Sequence, residues 1–511
     1  MAPWIAGAAT EAGVHPLRLH PLNGIAVAGQ PPAAGAPVIL WVQNAQRAAD
    51  NPALDLAAAL AGGSDAGVTA LFVLDGRVPF ASERTFTFLL EGLAELGPRL
   101  RERRVPFVLR AGSPVEEVTR AVVELGAGVV VTDLSPLQRG RRLRAQAGKA
   151  LLKRRIPVIA VDTEHVVPLL AVPGEQIAAR TLRPRFWRWL GLSPPGDGPQ
   201  ADVPRLPLLP AAVVARRSGR ALDGLSLPGS APAAPSPGAS GTAIDGAAAV
   251  GSPLRFEPLF DSLGVDRTIR PVPGMIGGEL AAARRLEDFL DWNLAGYGGR
   301  APGGTADAAD DRASGMSPYL RYGQISPWRV AYQIAGAPAP ESDRNAFLEE
   351  LLVRRELAAN FCWYNPHYRN LAAVPAWARE TLRLHAVDPR PFLYTPEQFE
   401  RAETHDPLWN AAQRQLMRSG RIQGYLRMYW GKMLLAWSPS PEEALHTALT
   451  LNDRYALDGR SANGATNILW CFGKHDRPFP ERDIFGVVRS MTAAGVARKF
   501  RLERYLHLYG T

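Results

Sequence analysis

At 511 residues, with 46% apolar and 21% charged side chains, the chain is too long for one ordinary core and too apolar for a disordered polymer, so two domains are expected. Lys and Arg exceed Asp and Glu by nine, an excess that suits a polyanionic partner without identifying one. Two cysteines, Cys362 and Cys471, exclude a disulfide framework or a cysteine-built zinc site, and a reducing cytosol is the expected setting.

The opening MAPWIAGAATEAGVHPLRLH lacks the basic and then long apolar build of a signal peptide, and no run reaches the roughly 18 apolar residues of a membrane-spanning helix. A cytoplasmic protein without membrane contact is expected, and residues 1–36 are taken as a poorly ordered extension. From 37 to 192, buried-strand runs such as PVILWV (37–42), VTALFVL (68–74), VPFVLRAG (105–112), GVVVTDL (128–134) and IPVIAVD (156–162) alternate with helical stretches at 86–104 and 114–128. That alternation predicts a doubly wound, Rossmann-like α/β domain built on a parallel sheet. No glycine-rich phosphate loop follows the first strand; QNAQRAADN (43–51) stands there instead. Residues 193–253 turn rich in Pro, Ala, Gly and Ser and read as a long linker. From 254 to 511 helical periodicity prevails without a convincing strand, which predicts an all-α second domain.

Ten of the twelve tryptophans lie at 187 or beyond. Indoles are hard to bury because the ring N–H needs a partner, so this enrichment points towards stacking or redox work. Four stretches carry chemistry. In ASGMSPYLRYGQISPWRV (313–330), Ser314, Gly315 and Ser317 precede a helix, as an N-cap or an anion site would. In FLEELLVRRELAANFCWYNPHY (347–368), carboxylates and arginines at helical spacing can form solvated ion pairs, yet at least one carboxylate must share an apolar face. In THDPLWNAAQRQLMRSGRIQGYLRMYWGKMLLAW (404–437), Trp430 and Trp437 are seven apart and share a face, about 10 Å apart along the axis. Packing and electron relay both remain open for them. In LNDRYALDGRSANGATNILWCFGKHDRPFPERDIFG (451–486), polar residues crowd a loop around Asp458, Gly459 and Asn463. His405 and His475 are each followed by Asp, but neither falls at a metal-ligand spacing.

Taken in order, SPYLRYGQIS, FLEELLVRREL, NFCWYNPHY, THDPLWNAAQ, GYLRMYW, NDRYALDG and IFGVVRSM, behind QRAADN, VVVTDLSPL and AARTLRP, resemble the cryptochrome/photolyase family. Within it they are similar to the class II cyclobutane pyrimidine dimer photolyases. The resemblance implies FAD in the helical domain, active as FADH⁻, which on blue-light excitation passes an electron to a flipped-out pyrimidine dimer in DNA. It implies Tyr297, Ser314, Gly315 and Ser317 along the ribityl and diphosphate part. Arg427 and Asp458 are implied as a buried ion pair beside the ring, with Asn452, or alternatively Asn463, as the amide facing N5. Glu350, Met428 and Trp470 are implied at the dimer, and Trp430, Trp409 and Trp437 as an electron-transfer chain with Tyr394 as outer donor. An antenna chromophore, a deazaflavin or a folate, is implied without assigned residues, and a monomer is expected. Departures from the family pattern include GGRAPGGTADAADD after Tyr297, where Arg300 stands near the family's arginine, Arg321-Tyr322 before GQIS, and Ala49 in QRAADN. The competing reading is a cryptochrome-like flavin photosensor; the retained Glu350, Met428 and Trp470 argue for repair.

Overall fold

The computed structural model describes residues 1–510 except 34, 63–66, 191–224, 226–255, 299–305 and 311. The described residues of 1–171, 208–285 and 319–330 form one unit, and those of 172–207, 286–318 and 331–510 form another. The 193–253 linker, apart from Leu225, lies outside the described residues, and so does Arg300.

The first unit is built on a six-stranded sheet. Its strands are β1 (Leu19–Pro21), β2 (Val38–Val42), β3 (Val68–Leu74), β4 (Phe107–Ala111), β5 (Val129–Asp133) and β6 (Val158–Val161), in the order β1-β6-β5-β2-β3-β4. From β2 to β6 every pairing is parallel. The residues of β2, β3, β5 and β6 are buried throughout, which is why their sequences are unbroken apolar runs rather than alternating ones. Helices Pro114–Leu125 and Gln138–Leu152 cover one face, where Val118, Ala121, Val122, Ala147 and Leu151 meet Ile39, Trp41, Leu71, Val130 and Val158. Helix Glu83–Glu102 is started by a capping box between Ser82 and Thr85.

Residues 1–36 depart from expectation. A helix spans Pro3–Glu11, tied down by the Trp4 indole donating to Gly29 O at 3.0 Å, and β1 pairs antiparallel with β6. The buried guanidinium of Arg18 donates to the carbonyls of Asp162, His165 and Val166, which fixes that edge strand. The boundary expected near 253 also shifts. Residues 256–285 and 319–330 belong with the sheet because QRAADN holds them: the amides of Ala48 and Ala49 donate to Glu279, Arg47 donates to Gly323 O, and Arg329 pairs with Asp50. Conversely, 172–189 joins the second unit, where Arg183 of helix Ala179–Trp189 pairs with Glu349 and the Gln176 amide donates to Asn360.

The second unit is helical. Helices Pro407–Ser419, Gly424–Trp437, Pro441–Tyr455 and Ala462–Cys471 pack in succession. Each has a sequence-coded start: the side chains of Asp406, Gln423, Ser440 and Ser461 accept from Trp409, Leu426, Glu443 and Gly464 amides. The first helix stops at Gly420, whose φ of 67° is the left-handed conformation glycine adopts without strain. Gly424–Trp437 is buried on almost every side from Leu426 onward, which is why apolar residues recur around its whole circumference, with Arg427 and Lys432 as the charged exceptions. Gly431 allows it to approach Ala462–Cys471, since a Cβ there would lie 2.6 Å from Cys471 Sγ. One amendment concerns strands: Ala306–Asp307 and Phe500–Arg501 form a two-residue parallel pair in this otherwise helical unit. Among the described residues, no helix is long and apolar enough to cross a membrane.

Candidate functional site

All fifteen candidate site residues lie in the second unit, and three groupings emerge. The first is the segment FLEELLVRREL. Its helix is not regular: Glu341–Leu348 passes into a π-helix over Glu349–Arg354 before Arg355–Tyr364 resumes the α form. Single π turns inside α-helices carry an extra residue per turn and often re-aim side chains at functional positions. Here the two adjacent carboxylates part company. Glu349 takes a bidentate ion pair from Arg183 and a longer contact from Arg354. The Glu350 carboxylate makes no hydrogen bond or ion pair among the described residues. Its side chain is reached by water, yet desolvation by surrounding protein raises its carboxyl pKa, with Arg354 opposing and Glu349 adding to the rise. Water access together with desolvation describes a carboxyl in an open recess.

Arg354, one turn on from Glu350, lays its guanidinium over Trp470 at 5.2 Å. Trp470 also meets His475 edge-on at 5.7 Å, and burial pulls the His475 imidazole down to about 4, so it is neutral. Met428 reaches the same helix, with its sulfur 3.9 Å from Cys471 Sγ, next to Trp470. Arg354 thus joins the Glu349–Glu350 turn to Trp470, and Met428 touches the residue next to Trp470.

The second grouping is the loop between Pro441–Tyr455 and Ala462–Cys471. Asp453, 3% exposed at its side chain, organises it: Oδ1 accepts from the Arg460 amide at 2.8 Å and from Asn452 Nδ2 at 3.1 Å, while Oδ2 takes Arg369 at 2.8 Å. Arg460 sits at φ 55°, a left-handed conformation costing about 1–3 kcal/mol for a non-glycine residue, and this bond supports it. One N–H of the Asn452 amide therefore goes to Asp453, which leaves its second N–H and its Oδ1. The side chain of Asn463, half-buried in the first turn of its helix, makes no hydrogen bond among the described residues. Nor is the expected ion pair between Arg427 and Asp458 formed. Arg427 is half-buried in the first turn of Gly424–Trp437 and keeps contact with water, so nothing forces it onto the carboxylate. Asp458 is 9% exposed and makes no hydrogen bond or ion pair within the described protein. A nearly buried carboxylate, a guanidinium and an amide left uncommitted by the fold suit a polar heterocycle that offers both N–H and carbonyl groups, as a flavin ring does.

Tyr297 and Ser314–Ser317 lie on other segments. The turn at Tyr297 is locked by Asp343, which accepts from Gly296 N at 2.7 Å and Gly298 N at 2.8 Å. The Tyr297 ring meets Phe289 and Phe347 edge-on at 5.7 and 5.3 Å. Ser314 Oγ accepts from the Met316 amide, Gly315 takes φ 70°, and Ser317 opens helix Ser317–Arg321.

The third grouping is aromatic. Trp409, from Pro407–Ser419, inserts between the two indoles of Gly424–Trp437. It stacks on Trp430 with centroids 6.4 Å apart and planes 5° apart, and meets Trp437 edge-on at 6.2 Å. Tyr394 continues the line, 6.0 Å from Trp437. Trp409 and Trp430 are 0% and 1% exposed, and both ring N–H groups are satisfied, by Trp430 O and Gln413 Oε1, each at 3.0 Å. Sequence reasoning did not single out Gln413, and it counted Asp453 only among the polar residues crowding the loop; a Gln four residues after Trp409 on the same helix face was the available signal for the former.

The matches with known proteins fit this architecture. Residues 38–205 match the family model described as DNA photolyase. The chain is 37% identical over 487 residues to a deoxyribodipyrimidine photo-lyase of Oryza sativa subsp. japonica, covering 92% of this chain and 87% of the relative. It is 34% identical over 495 residues to the protein of that name from Methanothermobacter thermautotrophicus, covering 96% and 98%. A bacterial class III photolyase from Agrobacterium tumefaciens shares the fold, with a TM-score of 0.65 at 19% identity over 93% of this chain and 86% of that one. The chain belongs to the DNA photolyase family.

Proposed function

We propose that this protein is a light-driven DNA-repair lyase that splits cyclobutane pyrimidine dimers, of the class II type, and that it holds FAD in its helical unit. The carrying observation is that the side chains of Glu350, Arg427, Asp458 and Asn463 make no hydrogen bond or ion pair with the rest of the described chain, Asp458 nearly buried, Arg427 and Asn463 half-buried and Glu350 open to water, in a protein similar over nine-tenths of its length to deoxyribodipyrimidine photo-lyases. Bound FAD in its reduced form would supply the photoexcited electron. Asp458 would accept from the ring's N–H and Arg427 would donate to a ring carbonyl. Asn452 is the proposed amide facing N5, with Asn463 the alternative: one Asn452 N–H goes to Asp453, which orients the carboxamide and leaves its Oδ1 and second N–H for the ring. Tyr297, Ser314, Gly315 and Ser317 remain the proposed contacts along the ribityl and diphosphate part.

At the substrate, Glu350 would hydrogen-bond the dimer, and its raised pKa favours a carboxyl able to share a proton with a carbonyl oxygen. Trp470, held by Arg354, would form an aromatic wall and Met428 an adaptable apolar contact, as extrahelical bases require. Trp430, Trp409 and Trp437 would return the flavin to its reduced form and take no part in splitting. A cytoplasmic monomer acting on damaged DNA belongs to the same proposal. An antenna pigment, deazaflavin or folate, has no residues proposed for it.

The test is chemical reduction of the flavin-loaded protein, followed by blue light in the presence of an oligonucleotide carrying one thymine dimer. Restored thymines, read by chromatography, are expected. A flavin-bearing, reduced protein that leaves the dimer intact would sink the proposal and favour the photosensor reading.

A further inference from the structure

Beyond the indoles, the aromatic line ends in an arrangement that packing alone does not require. Tyr394 OH lies 2.7 Å from His405 Nδ1, and the backbone N–H of His405 itself donates to the same phenolic oxygen at 2.9 Å. One residue thus grips the phenol twice. With an amide N–H already pointing at the oxygen, the phenol's own hydrogen is free to go to Nδ1, which selects the imidazole tautomer protonated on Nε2. The imidazole plane is fixed by Phe392, stacked at 3.6 Å and 18°, and by the edge of Trp437 at 4.8 Å and 63°. The neighbouring carboxylate, Asp406, is already engaged by the Trp409 amide and the Tyr429 hydroxyl. His405 itself is exposed, whereas Tyr394 is half-buried.

We propose that His405 is the proton acceptor of Tyr394, so that the indole line ends at the surface in a proton-coupled oxidation. The inference rests on the proposed function, in which a light-excited oxidised flavin is the oxidant that leaves an electron hole on the line. The step is balanced. An electron passes from the Tyr394 ring to the hole on Trp437, which becomes neutral again. The phenol O–H bond breaks and its proton moves to Nδ1, giving a neutral tyrosyl radical and an imidazolium. The imidazolium then returns a proton to water. A phenol that has lost an electron is a strong acid, so a base already hydrogen-bonded to it removes the need to wait for solvent. The backbone N–H of His405 keeps its bond to the oxygen after the proton has left. The consequence is directional: back transfer from the indoles to the hole would require the proton to return as well.

Flash photolysis of the full-length, flavin-loaded protein tests this, with transient absorption and electron paramagnetic resonance as readouts. In the wild type a tyrosyl radical should form, more slowly in D2O than in H2O, and Tyr394→Phe should abolish it. His405→Phe keeps a ring between Phe392 and Trp437 but offers no base; tyrosyl formation should slow by about a hundredfold, with an indole radical persisting instead. Imidazole added to that variant should restore part of the rate. Unchanged tyrosyl kinetics in His405→Phe, no isotope effect in the wild type, or a wild-type signal from indoles alone would each overturn the proposal. Dimer splitting by chemically reduced protein bypasses the line, so failure there refutes the repair reading and leaves these radical signals to judge His405.

Discussion

Replacing Asp453 by Ala isolates what positions the proposed flavin loop and orients Asn452, without replacing any residue proposed to contact the flavin. The substitution removes the acceptor of the Arg460 amide and of Asn452 Nδ2, both in a largely buried setting, and the partner of Arg369. Each stranded donor costs about 1–3 kcal/mol, whereas the Arg369 pair, with its guanidinium 43% exposed, contributes at most about 1 kcal/mol. Allowing the loop to relax, a total near 3 kcal/mol is expected. If the loop must regain its native course to close on the flavin, that cost appears as roughly a hundredfold weaker retention. Flavin fluorescence during dilution or dialysis measures it. Asp453→Asn keeps an oxygen for the Arg460 amide and should lose no more than about tenfold. Equal retention by Asp453→Ala and wild type, or equal losses in the two variants, would refute the reasoning.

Trp409→Phe should abolish photoreduction while chemically reduced protein still splits dimers, because Trp409 is the ring between Trp430 and Trp437; photoreduction at the wild-type rate would dismiss the relay. Gly431→Ala places a methyl against Cys471 Sγ and should cost about 1–3 kcal/mol by urea denaturation followed through tryptophan emission, with part recovered by adding Cys471→Ala. Burial holds the Lys432 ammonium down at about 8, and its Nζ donates to Cys471 O. The unfolded chain therefore keeps this proton between pH 8 and about 10.5 when the folded chain has released it, so the group makes stability climb across that window. Lys432→Met should lack the climb, and the wild type should gain about 3 kcal/mol on the variant between the two limits; parallel pH profiles would refute it.

What the sequence made legible follows physical lines. Strands β2 to β6 were readable to within a residue or two because burial on both faces leaves unbroken apolar runs. Strand β1 was not, since Leu19-His20-Pro21 carries no such run and is fixed by Arg18 reaching carbonyls more than 140 residues away. The sevenfold spacing of Trp430 and Trp437 revealed a shared face, but the ring that bridges them comes from another helix, and only tertiary packing supplies it. Family resemblance named Arg427, Asp458, Asn452 and Asn463 together. It could not say that Asp453 orients one of the two amides, or that the Arg and Asp stand unpaired, because both depend on which side chains the loop turns towards one another.

The π turn at Glu349–Arg354 carries a consequence for how this protein can vary. An α-helix turns about 100° per residue, and one widened turn absorbs a single extra residue, so the helix on its two sides keeps the phase it would have without that residue. Deleting one residue here would return the turn to regular α geometry and leave both flanks facing as they do. Inside the turn, the two adjacent carboxylates could no longer both keep their present directions, of which Glu349 alone is paired with Arg183. Alignments that slide a gap into this short stretch would therefore exchange the ion-paired Glu349 for its neighbour Glu350.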